Sequence, residues 1–279
     1  MNCVSINGKI VDGRKPVLMA DNRGYRYGDG LFETMKMIDG KIVLEKLHFE
    51  RLLNGLRHLK IKPTSSFTKK KLSADILGLC KKNKCDALAR IRLSVFRGHG
   101  GPYDGNESAG CLIECRAADE SVNQINKKGL LIDFFPGIQK TCDAFSNLKS
   151  ANFLPYTMAA QFAKEQKADD CLVGNIKGQI ADATIANVFL VKNKLVITPA
   201  LTEGCVSGVM RKYLIDKLSK SDFEMREGVV TKNDLETFDE VFLTNAMYGM
   251  RWVRQFRDKK YGKAQTLKIY KEFVEPLYL

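Results

Sequence analysis

Residues 21–34 of the chain read DNRGYRYGDGLFET, a run in which small and polar residues lead directly into an apolar segment. Gly28 and Gly30 bracket Asp29, and glycines this close together are typical of a tight turn or bulge. Phe32 lies in the apolar segment that follows. The pattern predicts a turn that delivers the chain into a strand, and it leaves open whether Asp29 serves structure or chemistry.

The residues on both sides of this turn predict hairpins and helices. Asn7-Gly8 and Asp39-Gly40 are the strongest hairpin signals, because both dipeptides favour the backbone of tight two-residue turns. Apolar residues at helical spacing predict two helices, and strict alternation predicts further strands. The predicted elements of this half are strands at 4–6, 9–11, 35–37, 42–44, 89–96 and 111–116, helices at 45–60 and 66–82, and a glycine-rich loop at 97–105.

A polar stretch at 118–128 has no apolar periodicity and precedes a second set of elements. Because these elements again mix strands and helices through short links, we predict an α+β architecture. The polar stretch predicts two domains, 1–117 and 128–279, with a linker at 118–127. The predicted elements of the second half are strands at 130–135, 169–173, 187–191, 195–198 and 240–244, and helices at about 155–167 and from about 207 to 218.

The composition is that of a globular protein, with 279 residues of which 44% are hydrophobic and 28% charged. No apolar run approaches the ~20 residues of a membrane helix. The first residues lack the basic start and apolar core of a signal peptide. We therefore expect no membrane partner and a cytoplasmic location.

Cysteines, histidines and net charge argue against metal and nucleic-acid partners. The eight cysteines are scattered without a Cys-x-x-Cys motif, and the three histidines have no partner at metal-ligand spacing. We therefore expect free buried thiols and no metal site. The net charge of +13 comes with no basic motif interleaved with aromatic residues, so it indicates small anionic ligands at most.

Three further features are candidates for chemistry. Lys149 lies in a polar loop before a predicted helix, where it is either a nucleophile or base, or an ordinary surface lysine. Small residues in 203–211 precede the start of a predicted helix. The N-terminus of this helix either binds a phosphate or is an ordinary capped helix end. Asp182 precedes the strand 187–191 and either pairs with a cationic nitrogen or completes a turn.

Together and in this order, these segments resemble the signature of the fold-type IV pyridoxal-phosphate enzymes, the class IV aminotransferase family. The resemblance covers nearly the whole chain. The matching segments are the opening motif at 21–34, the His-x-x-Arg-Leu helix at 48–52, the cofactor-lysine segment at 149–156, the acid-and-asparagine segment at 179–189, Thr198-Pro199, and Gly208-Val209-Met210-Arg211.

The resemblance implies a pyridoxal 5'-phosphate enzyme with a smaller N-terminal α/β domain and a larger C-terminal pseudo-barrel domain. It further implies a cofactor in the cleft and a homodimer that completes each site. Lys149 would form the Schiff base and move the substrate proton. Asp182, where the family usually has glutamate, would bind the pyridine nitrogen. The other implied cofactor residues are Arg51, Asn187, Val209, Met210, Asn245 and Ala246, and the implied substrate residues are Phe32, Thr34, Arg97 and Tyr103.

Two departures from the aminotransferase pattern bear on the substrate. Met210 stands in the phosphate motif, and an Asn245-Ala246 loop follows the late strand. Both features resemble the 4-amino-4-deoxychorismate lyases of the family, which release pyruvate and 4-aminobenzoate. A branched-chain or D-amino acid aminotransferase is the alternative, and a degenerate binder of the same fold is the third. In each enzyme reading the substrate is a small anionic amine or amino acid.

Overall fold

The computed structural model describes residues 3–65, 67–104 and 109–279, which form two compact units. The first unit contains the described residues up to Glu120 together with the later segment Lys149–Asn152. The second contains Ser121–Leu148 and Phe153–Leu279. A short segment of the first unit is therefore supplied by the chain from within the second half of the sequence.

The first unit is built on a six-stranded antiparallel sheet with the order β2-β1-β6-β5-β3-β4. Both predicted hairpins form, because Asn7 and Asp39 adopt the left-handed backbone and Gly8 and Gly40 follow them there. The strands are β1 (Cys3–Ile6), β2 (Lys9–Asp12), β3 (Gly30–Ile38), β4 (Lys41–Ile42), β5 (Leu88–Arg97) and β6 (Ala109–Ala117).

The helices that accompany this sheet in the described residues are α1 (Arg23–Tyr27), α2 (Glu45–His58) and α3 (Lys69–Lys82). The apolar face of α2 is buried, as its spacing predicts. The predicted helix at 66–82 begins at Lys69, where the Thr68 side chain caps the first turn, and its first predicted residue, Ser66, lies outside the described residues.

The predicted turn before β3 contains the short helix α1. The Asn22 side chain caps its first turn by accepting the Tyr25 N–H, and Gly28 ends it in the left-handed conformation. A side chain at Gly28 would also collide with Asn152. The sequence signal at this point therefore marks the end of a helix immediately before the strand.

The second unit is built on a mixed nine-stranded sheet with the order β12-β11-β10-β13-β14-β7-β8-β9, and β15 pairs with β14. Its strands are β7 (Leu130–Lys140), β8 (Asp170–Asn175), β9 (Ile180–Ala183), β10 (Asn187–Lys192), β11 (Leu195–Pro199), β12 (Glu224–Gly228), β13 (Glu240–Asn245), β14 (Gly249–Phe256) and β15 (Lys259–Lys260). Its helices are α4 (Leu154–Glu165), α5 (Val209–Leu218), α6 (Lys232–Thr237) and α7 (Ala264–Ile269).

This second sheet curls back on itself. Strands β9 and β10 are far apart in the strand order, yet Asn187 of β10 donates a hydrogen bond to Asp182 of β9 at 2.9 Å. Every residue of β8 is buried, and α4 covers it with Tyr156 and Ala159. The curl therefore gathers side chains from several strands on one surface.

Strand β7 continues beyond its predicted end at Phe135. Its pairing with β8 shifts in register between Phe135 and Gln139, so Pro136 and Gly137 fall in an irregularity rather than at the end of the strand. The strand then runs on to Lys140.

The domain boundaries predicted from the sequence, with a linker at 118–127, stay a prediction. No helix in the described part of the chain is long and apolar enough to cross a membrane.

Candidate functional site

Lys149 lies beside the N-terminal end of β3, in the first unit. The Phe32 N–H donates to the Lys149 carbonyl at 3.0 Å, and the Ala151 N–H donates to the Gly30 carbonyl at 2.9 Å. Since β4 pairs only with the other end of β3, this edge of β3 is open to the segment that carries Lys149. The Lys149 ammonium lies 4.4 Å from the centre of the Phe32 ring. Strand-like pairing therefore fixes the backbone of the predicted reactive lysine.

Arg51 is held by a buried carboxylate on the neighbouring strand. Its Nε and Nη2 donate to the two oxygens of Glu33 at 2.8 and 2.5 Å, and His48 Nδ1 lies 2.6 Å from Glu33. Burial alone would raise the pKa of Glu33, but Arg51 and His48 outweigh it and lower that pKa to about 2. Glu33 therefore remains a carboxylate that fixes the direction of the Arg51 side chain.

His48 completes this cluster as a neutral ring. Burial lowers its pKa more than the neighbouring Glu33 raises it. Because Nδ1 faces a carboxylate, it carries the proton and donates, which leaves Nε2 as an acceptor. Nε2 is buried and has no hydrogen-bond partner in the ranges that the structure describes. The cluster thus presents an unpaired acceptor in the field of Arg51 and Lys149, whose charges also lower the pKa of His48.

We expect Glu33 to make the stability of the protein depend on pH. Its pKa falls from 4.5 to about 2 on folding, so its contribution of about 3 kcal/mol is fully present above about pH 4.5 and is lost as the pH falls through 2. Urea unfolding from pH 7 to pH 2 checks this. The stability gap between the wild type and Glu33→Gln should close over that interval, and a constant gap would contradict the prediction.

On one face of the first sheet, the side chain of an arginine lies beside Phe32. The Arg92 guanidinium lies 3.9 Å from the centre of the Phe32 ring, and Thr34 is directly opposite Arg92 across β3 and β5. Burial lowers the pKa of Arg92, although it stays a cation at neutral pH. Sequence reasoning missed Arg92, although the alternation of β5 places it on the face shared by Phe32 and Thr34.

Arg97, predicted to bind substrate, has its nitrogens engaged within the first unit. Nε donates to Asp29 at 2.9 Å, Nη2 to the Leu59 carbonyl at 2.6 Å, and Nη1 to the Lys60 carbonyl at 3.1 Å. Arg97 therefore binds the turn before β3 and the end of α2. Tyr103, the other predicted loop residue, has a fully exposed side chain.

In the second unit, four hydrogen-bond donors converge on the Asp182 carboxylate. Its Oδ2 accepts from Lys140 Nζ at 2.9 Å, Tyr156 OH at 2.7 Å and the Val206 N–H at 3.0 Å. Its Oδ1 accepts from Asn187 at 2.9 Å. Asp182 is only 2% exposed, so this network stabilises its negative charge in place of water. Because Oδ1 accepts only one of these four hydrogen bonds, it can accept another.

Lys140 and Tyr156 contribute to this candidate site. Sequence reasoning did not single out Lys140, and it included Tyr156 only as the last residue of the 149–156 segment. The Lys140 side chain is 9% exposed and also donates to the Gly204 carbonyl at 2.5 Å. Burial, and then the charge of Asp182, raises the pKa of Tyr156 well above its ordinary value, so its hydroxyl stays a donor. Lys140 gave no local signal, because it lies at the end of β7, five residues beyond the end predicted for that strand.

The N-terminus of α5 is the predicted phosphate site. Gly208 precedes its first turn without a side-chain cap, and Val209 and Met210 begin the helix in buried positions. Asn187 reaches this turn by donating to the Val206 carbonyl at 2.8 Å. Amide groups at an uncapped helix start, together with the positive end of the helix dipole, suit an anion.

Another group suited to binding an anion lies at the end of β13. Thr244 Oγ1 is buried and has no hydrogen-bond partner among the described residues. Asn245 Oδ1 accepts from the N–H groups of Met247 and Tyr248 at 3.0 and 2.9 Å, which folds the chain into a turn through Ala246. The predicted residues Asn245 and Ala246 thus shape the loop, and Thr244 supplies the unpaired hydroxyl.

We expect Gly208→Ala to destabilise the α5 site. A Cβ at Gly208 would collide with the Asn187 side-chain oxygen, which cannot move freely because Asn187 is hydrogen-bonded to Asp182 and Val206. The expected cost is about 1–3 kcal/mol in the free energy of unfolding, measured with urea.

Gly78→Ala is the matched control for this change. Gly78 lies inside α3 and a Cβ there meets nothing within 4 Å, so alanine should stabilise the helix by about 1 kcal/mol. Equal effects of the two substitutions would show that the collision at Gly208 is without consequence.

Comparisons with known proteins identify the family of this chain. The amino-transferase class IV family model matches residues 30–256. The aminodeoxychorismate lyase of Bacillus subtilis is 27% identical over 93% of this chain and 88% of its own. A putative branched-chain-amino-acid aminotransferase of Methanocaldococcus jannaschii is 28% identical over 86% of this chain and 83% of its own.

The fold agrees with a solved structure of the same kind. The branched-chain aminotransferase of the archaeon Thermoproteus uzoniensis superimposes with a TM-score of 0.87 at 18% identity, over 99% of this chain and 94% of that one. The chain belongs to the class IV aminotransferase family, whose members are pyridoxal-phosphate-dependent lyases and aminotransferases. The predicted family, enzyme class and fold class are thereby confirmed.

Proposed function

We propose that this chain binds pyridoxal 5'-phosphate and acts as a 4-amino-4-deoxychorismate lyase, which releases pyruvate and leaves 4-aminobenzoate. The observation that carries the cofactor assignment is the position of Lys149 in the first unit. Strand-like pairing holds its backbone, and its side chain lies over Phe32. A lysine amine is the group that binds the cofactor aldehyde covalently.

The charged groups of the two units suit the remaining parts of the cofactor. In the first unit, Arg51 is aimed by Glu33 and supplies a fixed cation for phosphate. In the second unit, the Val209 and Met210 N–H groups and the Thr244 hydroxyl, unpaired among the described residues, also suit an anion. Oδ1 of Asp182 has capacity for the pyridine N–H. The residues present therefore fit the group that the family implies.

When bound, the cofactor supplies an electron sink for the carbanion formed at the substrate carbon. The residues of this chain do the rest. Lys149 Nζ takes the proton from that carbon and returns it later in the reaction. Asp182, which accepts hydrogen bonds from Lys140 and Tyr156, would accept one more from the pyridine N–H. Arg92, beside Phe32, is the better placed cation for a substrate carboxylate, because the nitrogens of Arg97 are engaged elsewhere.

The lyase reaction is favoured over transamination by two lines of support. Met210 and the Asn245-Ala246 loop resemble the lyases of the family, as the sequence pattern indicated. The Bacillus subtilis relative, named as such a lyase, matches over nearly the full length of both chains. The branched-chain relative supports transamination as the second candidate function. The proposal further takes the active form to be a homodimer in the cytoplasm.

Product analysis distinguishes the two reactions. Purified protein loaded with cofactor is given aminodeoxychorismate, and 4-aminobenzoate is measured directly, because transamination from D-alanine also yields pyruvate. In parallel, transfer from glutamate to branched 2-oxoacids and from D-alanine to 2-oxoglutarate is measured. We expect kcat/KM for 4-aminobenzoate formation to exceed either transamination by at least about 100-fold, a difference of roughly 2.7 kcal/mol. Efficient transamination without 4-aminobenzoate would overturn the lyase assignment while leaving the cofactor assignment intact.

A further inference from the structure

Two cysteines at the C-terminal end of α3 and one from a later strand meet inside the first unit. Cys80 lies in α3, Cys85 follows that helix, and Cys115 lies in β6. Their sulfur atoms all lie within 4.8 Å of one another, and those of Cys85 and Cys115 are 3.6 Å apart. All three are free thiols and are buried, with exposed fractions of 0%, 4% and 2% in sequence order.

The backbone around α3 brings Cys80 and Cys85 together. The helix ends at Lys82, and Lys84 adopts the left-handed conformation that reverses the chain. As a result the Cys85 N–H donates to the Cys80 carbonyl at 3.0 Å. Cys115 faces them from β6, where it lies opposite the fully buried Ile91 of β5. The three sulfur atoms are therefore positioned by regular secondary structure and a hydrogen-bonded turn.

A side-chain amide is directed at one of these sulfur atoms. Asn83 Nδ2 lies 3.3 Å from Cys115 Sγ and 2.9 Å from the Cys3 carbonyl, while Asn83 Oδ1 accepts the Cys3 N–H at 3.1 Å. The amide is thus fixed by the backbone of β1, and its N–H group donates to sulfur. Donors of this kind orient and stabilise thiolate ligands of metal ions.

The spacing of the sulfur atoms matches a three-coordinate metal centre. Metal–sulfur bonds are about 2.3 Å long, so three thiolates around one ion in a plane lie about 4 Å from one another. The Cys85–Cys115 separation of 3.6 Å lies close to that value, and the other two separations do not exceed 4.8 Å. Sulfur ligands in an apolar setting select soft cations, and three ligands suit Cu(I), whereas Zn(II) takes four.

We propose that Cys80, Cys85 and Cys115 form a binding site for a soft d10 cation, Cu(I) in preference to Zn(II). Each thiol that binds as a thiolate releases one proton to solvent, and the ion keeps its charge, so no electron transfer is involved. The sequence did not predict this site because its ligands follow no metal-binding spacing and meet only through the fold. The site is independent of the reaction proposed above.

Competition with a chelator tests the site. Full-length protein is reduced, freed of metal and titrated anaerobically with Cu(I) against bicinchoninate, with thiol counting beforehand to verify reduction. We expect one Cu(I) per chain and a loss of affinity of at least about 100-fold in Cys85→Ser and in Cys115→Ser. Cys205→Ser is the matched control, because Cys205 is equally buried but belongs to the second unit, and it should bind as the wild type does.

The melting temperature with and without Cu(I) provides a second test, which does not require Cys115→Ser to fold. Cu(I) should raise the melting temperature of the wild type and Cys205→Ser but not that of Cys85→Ser, whose residue is the most exposed of the three. Failure of the wild type to compete for Cu(I), unchanged binding in Cys85→Ser, or stoichiometric binding of Zn(II) without Cu(I) would each overturn the proposal.

Discussion

Replacing Lys149 by alanine should remove the visible absorption band of the cofactor-loaded protein and lower kcat by at least about ten-thousand-fold. The reason is that the proposed function assigns to this one amine both the covalent attachment of the cofactor and the proton transfer at the substrate carbon. The measurement is the absorption spectrum with pyridoxal phosphate, before and after borohydride reduction. Reduction should fix the cofactor to the wild-type protein and not to the variant.

Two further variants make this result specific to position 149. Lys149→Arg keeps the positive charge but cannot bond to an aldehyde at neutral pH, so it should behave as the alanine variant does. Lys194→Ala removes an exposed lysine from the β10–β11 hairpin and should leave both spectrum and rate unchanged. A Lys149→Ala protein that still fixed the cofactor on reduction would refute the assignment of this lysine.

Removing Asp182 should cause the largest loss of stability in the second unit. Asp182→Ala leaves the Lys140 ammonium buried without its counter-ion and deprives Tyr156 and Asn187 of an acceptor. Breaking one partner of such a pair costs about 3–5 kcal/mol. The measurement is urea unfolding of the cofactor-free protein at pH 7.

A double-mutant cycle with Lys140→Met isolates the ion pair. Lys140→Met leaves Asp182 with three remaining donors, so this single change should cost less than Asp182→Ala. The double variant should be more stable than the sum of the two single effects predicts, because no unpaired charge remains. Strict additivity would mean that Lys140 and Asp182 do not stabilise one another.

The elements that were predictable are those with strong local signals. Asn7-Gly8 and Asp39-Gly40 specify their hairpins because both turn positions accept a left-handed backbone. Strand β14 was missed because Trp252 and its charged neighbours alternate too weakly, and its position depends on pairing with β13 and β7. Long-range pairing of this kind leaves little trace in the local sequence.

Within the candidate site, the sequence suggests which residues to consider but not the partners that hold them. The motif containing Lys149 locates that lysine, but it does not reveal that β3 holds the segment in place. The resemblance assigned Arg97 to the substrate, whereas Asp29 and two carbonyl groups just after the end of α2 occupy its nitrogens. Lys140 was overlooked because Pro136 resembles the end of a strand, while a register shift lets β7 continue to the lysine.

The pairing between β3 and the segment Lys149–Asn152 also affects how the protein is made. The N-terminal end of β3 lacks this edge partner until about thirty residues beyond the first 120 have been synthesised, at roughly 5–20 residues per second. An open strand edge is a template for association between nascent chains. We therefore expect a chain truncated before residue 149 to lose both the lysine and the segment that covers this edge, and to aggregate more readily than the full-length chain.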